Sequence, residues 1–175
     1  AKSVGGAVDA VTATFHGPPR ILVNNAGLFR VAAADELAVD DFEAMLGVNL
    51  VAPFRFVRAF LPAMKSARSG HIVTIGSVAD RAAFPGNAGY SASKFGARAV
   101  HEVLRAETKG SGVRATLVSP GATDTEIWDG LEPGVRGKFP AREEMLKAED
   151  VASAVMFAVT QGDRVNVDEL RLSRA

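Results

Sequence analysis

Short apolar runs alternate with amphipathic helical segments along this chain, and no other feature restricts its fold so tightly. Val4, Val8, Val11 and Phe15 stand at helical spacing over residues 4–16, which end at Gly17-Pro18-Pro19. Residues 21–23 then read as a short strand, broken by Asn24-Asn25-Ala26-Gly27. From Asp40 a helical pattern runs to about Met64, with Leu50, Phe54, Val57, Leu61 and Met64 on one face and Phe56 and Phe60 on another. A helix apolar on two faces has two partners, here its own sheet and a second subunit, so a homodimer or homotetramer is expected. The run GHIVTIGS, residues 70–77, is apolar without alternation, as suits a parallel strand covered on both faces. Residues 88–108 read as a helix, 113–121 as a strand, 148–161 as a helix and 167–174 as a last strand. This order predicts an α/β fold: a parallel sheet with helices on both faces, in a single domain over residues 1–175. The one long irregular segment, 120–142, is rich in Gly and Pro and reads as a lid, with Trp128, Leu131 and Phe139 over an apolar pocket.

Composition removes several function classes. Twenty basic and twenty acidic residues give a formal charge of zero, so no broad positive field is available for nucleic acid or an anionic membrane. The basic cluster from Arg98 to Arg105 reads as a solvated helix face. Cysteine is absent, which excludes disulfides, thiolate catalysis and zinc–cysteine sites. His16, His71 and His101 match no ligand spacing; they read as surface or strand-end residues, and no metal site is expected. No apolar run reaches about 18 residues, so no membrane span is expected. The first residues, AKSVGGAVDAV, lack a signal-peptide core, and a cytoplasmic location is the default expectation.

The polar residues cluster at one edge. Ligands of open parallel sheets bind beyond the carboxyl ends of the strands. Those ends carry Asn24-Asn25-Ala26-Gly27, Gly76-Ser77 and Ser119-Pro120-Gly121, and Tyr90 opens the helix that follows the second of them. Tyr90, the only tyrosine, stands four residues before Lys94, so the two share a helix face. A neighbouring ammonium favours phenolate, and a phenol shifted toward the working pH becomes a usable acid–base group, worth roughly 10² to 10⁴ in rate. The competing reading is a tyrosine packed at a helix end beside an exposed lysine. A second feature is Pro53, four residues after Asn49. Without an amide hydrogen at 53, the Asn49 carbonyl loses its helical partner, which predicts a kinked, hydrated break or a simple helix restart.

Together NNAG, the Asn within a long helix, the Ser after the next strand, YSASK, and PG with a Thr five residues beyond the proline resemble the short-chain dehydrogenase/reductase family. The 13-residue spacing from Ser77 to Tyr90 also resembles it. The resemblance implies a Rossmann-like fold and an oxidoreductase using NADP or NAD to interconvert a secondary alcohol and a ketone or aldehyde. It implies Tyr90 as general acid/base. Lys94 would lower the Tyr90 pKa and bind the nicotinamide ribose. Ser77 would orient the substrate oxygen, and the Asn49 carbonyl would hold a water leading to Lys94. It further implies cofactor contacts from Asn24, Ala26 and Gly27, from Pro120 and Gly121 at the nicotinamide, and from Thr125 at its carboxamide.

One part of the family pattern is not in the sequence. The opening strand and its Thr-Gly-x-x-x-Gly-x-Gly turn, which sets a helix N-terminus against the pyrophosphate, have no counterpart. SVGG at 3–6 lacks the spacing and a preceding strand, and GLEPGVRG at 130–137 has three glycines but follows no strand and contains a proline. The expectation is therefore a partial domain, its first strand–helix units lying outside these 175 residues. The rival expectation is a catalytically inactive relative serving as a binding or oligomerisation module.

Overall fold

The computed structural model describes residues 2–175. Helix α1 (Lys2–Phe15) ends where His16 takes a left-handed φ of 55° ahead of Gly17-Pro18-Pro19. Strand β1 (Ile21–Asn24) follows, then α2 (Val39–Leu46), a π turn (Gly47–Val51) and α3 (Ala52–Ala67). After β2 (Gly70–Ile75) come a 3₁₀ turn (Val78–Asp80), α4 (Ala88–Thr108) and β3 (Val113–Pro120). The remaining elements are β4 (Thr123–Asp124), α5 (Pro133–Arg136), β5 (Leu146–Lys147), α6 (Ala148–Val159) and β6 (Glu169–Leu172).

Four strands form one parallel sheet in the order β1-β2-β3-β6, with Val23 beside Val73, Ile75 beside Val118 and Val118 beside Leu170. Successive strand residues face opposite sides, and the packing follows that rule. Ile72 joins Val57, Phe60, Met64 and Leu104 of α3 and α4, with Val8 and Val11 of α1 against them. Its neighbour Val73 faces the other side, with Val118 and Ala154 of α6. The expected α/β architecture with helices on both faces is therefore present.

The break at Asn49 takes a different form from the expected kink. The Ala52 amide reaches back to the Gly47 carbonyl, one residue further than in an α-helix. The widened turn absorbs the donor missing at Pro53, and α2, the π turn and α3 form one rod over Val39–Ala67. That rod is long and apolar enough to cross a membrane by length and composition alone, a test that the core helix of a globular fold also passes. Met45, Val57, Phe60 and Met64 turn its inner side into the core. Helix α4 lies close against it because Gly96 has no side chain: a Cβ there would meet Leu50 Cδ2 at 2.8 Å.

Other expectations are also corrected. The segment 120–142 is partly ordered into a small sheet, Thr123 beside Leu146 and Asp124 beside Lys147, plus α5. His101 lies within α4 and is buried at 4% exposure, so it is neither a surface nor a strand-end residue; His71 does stand near the start of β2 but is buried at 1%. His71 Nε2 lies 2.8 Å from the Thr116 hydroxyl, which itself donates to the Val167 carbonyl, so the imidazole is the donor. Arg98 does not sit on a free solvated face; it bonds Glu102 at 2.8 Å and lies 3.8 Å from the buried Asp80.

Candidate active site

The carboxyl edge of the sheet gathers most of the residues that the sequence singled out. β2 runs out at Ile75, and Gly76-Ser77 turn the chain into the 3₁₀ segment. Ser77 caps that segment: its hydroxyl accepts the Ala79 amide at 3.1 Å, while Asp80 Oδ2 accepts the Ser77 amide at 3.3 Å. The reciprocal pair fixes Ser77 at the end of the strand.

Tyr90 and Lys94 lie on the first turns of α4. Lys94 is buried at 5% exposure, and its Nζ donates to the Ile75 carbonyl at 2.8 Å. The same ammonium stands 5.6 Å from the centroid of the Tyr90 ring, so the phenol–ammonium pair forms and the lysine is not the exposed one of the competing reading. Burial pulls the lysine down to about 8, opposed by the negative charge of Asp80. Burial also drives the Tyr90 phenol upward; hydrogen bonding to the Ser77 side chain lowers it, and Asp80 raises it further. The direction is opposite to the one the Tyr–Lys spacing predicts, because burial is the largest influence on the phenol.

Asn49 reaches three elements from the π turn. Its Oδ1 accepts the Leu28 amide at 2.7 Å, and its Nδ2 donates to the Leu28 carbonyl and to Ser93 Oγ, both at 2.9 Å. The Ser93 hydroxyl in turn donates to the Tyr90 carbonyl at 2.7 Å. The loop after β1 is thereby tied to the backbone of Tyr90. Sequence reasoning passed over Ser93; its signal is a small polar residue three positions after the tyrosine, on the buried side of the helix.

The remaining predicted residues divide into three groups. Asn24 is buried and lines a narrow crevice with Leu50, Val57, Thr74, Ala97 and His101, so its side chain belongs to the packing under α3 and α4. Ala26, Gly27 and Thr125 are exposed at the edge, and the Thr125 side chain makes no capping bond. Pro120 ends β3 beside Leu172, and the Gly121 amide donates to the Leu172 carbonyl at 2.8 Å.

An apolar wall closes the site above the phenol. The Phe29 ring meets Tyr90 edge-on at 4.7 Å, with Trp128 and Phe139 at 5.4 and 5.8 Å from Phe29. Trp128 is anchored by Nε1 donating to the Thr123 carbonyl at 2.8 Å, and Arg142 clamps the segment between Asp124 and Asp129. Trp128 and Phe139 were expected there; Phe29 carries no sequence signal beyond following NNAG by two positions.

The donors fit the nicotinamide-riboside half of a dinucleotide. Lys94 uses one of its three N–H donors on Ile75, the Thr125 hydroxyl is exposed, and the backbone of 26–27 is open. No glycine-rich strand-to-helix turn stands in the sequence to take a pyrophosphate.

Comparison with known proteins agrees with this arrangement. The short chain dehydrogenase family matches over residues 1–135. A D-threitol dehydrogenase of Mycolicibacterium smegmatis is 38% identical over 161 residues, covering 90% of this chain and 62% of its own. A sepiapterin reductase of Chlorobaculum tepidum is 36% identical over 151 residues, covering 86% of this chain and 59% of its own. The crystal structure of an alcohol dehydrogenase from Thermococcus sibiricus, complexed with 5-hydroxy-NADP, superposes with a TM-score of 0.82 at 30% identity. That superposition covers 98% of this chain and 69% of the enzyme. The chain thus spans about three fifths of the length of these two relatives, 62% and 59%.

Proposed function

Because the chain belongs to the short-chain dehydrogenase/reductase family, we infer that it forms the catalytic part of an NAD(P)-dependent oxidoreductase interconverting an alcohol, most simply a secondary one, and the corresponding ketone or aldehyde. The observation that carries this reading is the convergence of Ser77, Tyr90 and Lys94 at the edge where β2 ends. The complex of the Thermococcus enzyme with an NADP derivative and the dehydrogenase and reductase names of the relatives support it. Those names give no support to the rival reading of an inactive module.

The roles follow from the chemistry of each group. In reduction, the Tyr90 phenol donates its proton to the carbonyl oxygen; in oxidation, the phenolate removes the proton of the alcohol. Ser77 donates a hydrogen bond to the same substrate oxygen and holds it against Tyr90. Lys94 would bind the nicotinamide ribose, and its charge stabilises phenolate when the proton leaves. Gly27, Gly121 and Thr125 would hold the nicotinamide, and the Asn49 carbonyl would hold a water that reloads Lys94. When bound, the nicotinamide supplies or accepts the hydride. Phe29, Trp128 and Phe139 exclude water from the reacting carbonyl and favour an apolar substrate surface.

A titration with NADPH and NADH, followed by nicotinamide fluorescence and a screen of carbonyl substrates, tests this reading. Saturable binding and substrate-dependent oxidation of either cofactor are expected. No binding of either would overturn it in favour of a non-catalytic module.

A further inference from the structure

Asp80 lies beneath the site, and the roles above leave it unused. It is 0% exposed. Its Oδ2 accepts the Ser77 amide at 3.3 Å and the Ser119 hydroxyl at 2.5 Å, and its Oδ1 accepts Arg81 Nε at 2.8 Å. Gly76 makes this approach possible: a Cβ there would come within 2.5 Å of Asp80 Oδ2 and 2.8 Å of the Ser119 hydroxyl. The two residues flanking Gly76 are therefore held by opposite charges. The Lys94 ammonium grips the Ile75 carbonyl, and the Asp80 carboxylate grips the Ser77 amide.

We propose that Asp80 is a positioning residue of the reaction, which sets Ser77 in place and whose negative charge holds the Tyr90–Lys94 pair as phenol and ammonium. The proposal rests on the acid–base role of Tyr90 inferred above. Capping a 3₁₀ turn needs only a neutral acceptor, whereas burying a full charge is costly unless it is well compensated. The compensation comes from both sides. Outward, Arg81 lies 2.8 Å and Arg98 3.8 Å from Asp80, and both arginines are shared with Glu169, at 2.5 and 3.7 Å. Arg98 is also paired with Glu102 at 2.8 Å. Inward stand Lys94 and Tyr90. Asp80 raises both, offsetting part of what burial takes from Lys94 and adding to what burial already does to Tyr90. The carboxylate thus favours the state that donates a proton to a carbonyl, and opposes early ionisation of the base needed for alcohol oxidation.

Tyr90 is the only tyrosine in the chain, so phenolate absorbance near 295 nm reports on it alone and needs no turnover. The test is a set of rapid pH jumps on wild type, Asp80→Asn and Arg81→Gln, with circular dichroism establishing that each is folded. Asp80→Asn removes the negative charge at constant size, and the phenolate midpoint is expected to move to lower pH. Arg81→Gln removes a neutralising cation, and the midpoint is expected to move to higher pH. Where alcohol oxidation is measurable, its rising limb moves in the same two directions. A midpoint unmoved or moved oppositely in either folded variant would overturn the proposal, and should Asp80→Asn not fold, Arg81→Gln decides alone. Loss of the catalytic reading would appear separately, as turnover in a Tyr90→Phe enzyme.

Discussion

Single side chains carry the proposed chemistry, and their environments set the pH at which it is expected to run. Lys94 is cationic below about 8, so an interaction that uses its charge weakens above that pH; NADPH affinity measured from pH 6.5 to 9.5 is expected to fall across it. Lys94→Met is expected to remove that dependence and to weaken both binding and turnover. His71 gives a second pH effect, in stability. Its imidazole is held neutral by burial, assisted by the charge of Arg114, with the pKa lowered from 6.5 to about 4. Between those values the unfolded chain binds more protons than the folded one, so stability falls as pH drops from about 6.5 to about 4, by about 3 kcal/mol in all. Denaturant midpoints at pH 7 and 4.5 are expected to converge in His71→Gln, whose amide can still donate to Thr116; equal losses in variant and wild type would contradict the assignment. Tyr90, Lys94 and Ser77 were legible because helix spacing and strand ends fix where they stand. Asp80 and His71 were not, because the sequence does not say which polar residue is buried.

Among the elements, the π turn is the joint on which the site depends. Asn49 links Leu28, Ser93 and the first turn of α4 through one amide group. Asn49→Ala leaves both polar groups of Leu28 without that partner, an expected loss of about 1–3 kcal/mol in denaturant unfolding. Nicotinamide affinity is expected to weaken with it, since Gly27 adjoins Leu28; intact affinity would show that the tie is structural only. Pro53 announced a break in this helix, and counting hydrogen-bond donors was enough to place it. The form of the break was not legible, since a kink, a restart and a π turn all accommodate a missing amide. The lid was legible only as irregular: the pairing of β4 with β5 involves two residues from each strand, too short to leave a pattern.

At the scale of the whole molecule, the strand order leaves β1 at one side of the sheet, with Ile21 and Val23 exposed at 46% and 43%. An apolar edge strand is a template for pairing, so Val23→Lys is expected to lower self-association of the 175-residue chain in light scattering. Unchanged association would direct attention to the exposed Phe54 and Phe95 on α3 and α4. The alternation of segments was enough to read the parallel sheet and its helical layers. The burial of individual strands was not legible, because it depends on which neighbours flank them. The proposed reaction depends above all on whether the buried phenol moves the proton. Turnover of Tyr90→Phe beside wild type, with a carbonyl substrate and the reduced cofactor each binds, measures that directly. A rate lower by roughly 10² to 10⁴ with cofactor affinity preserved is expected; a variant that turns over like wild type would contradict the acid–base role of Tyr90.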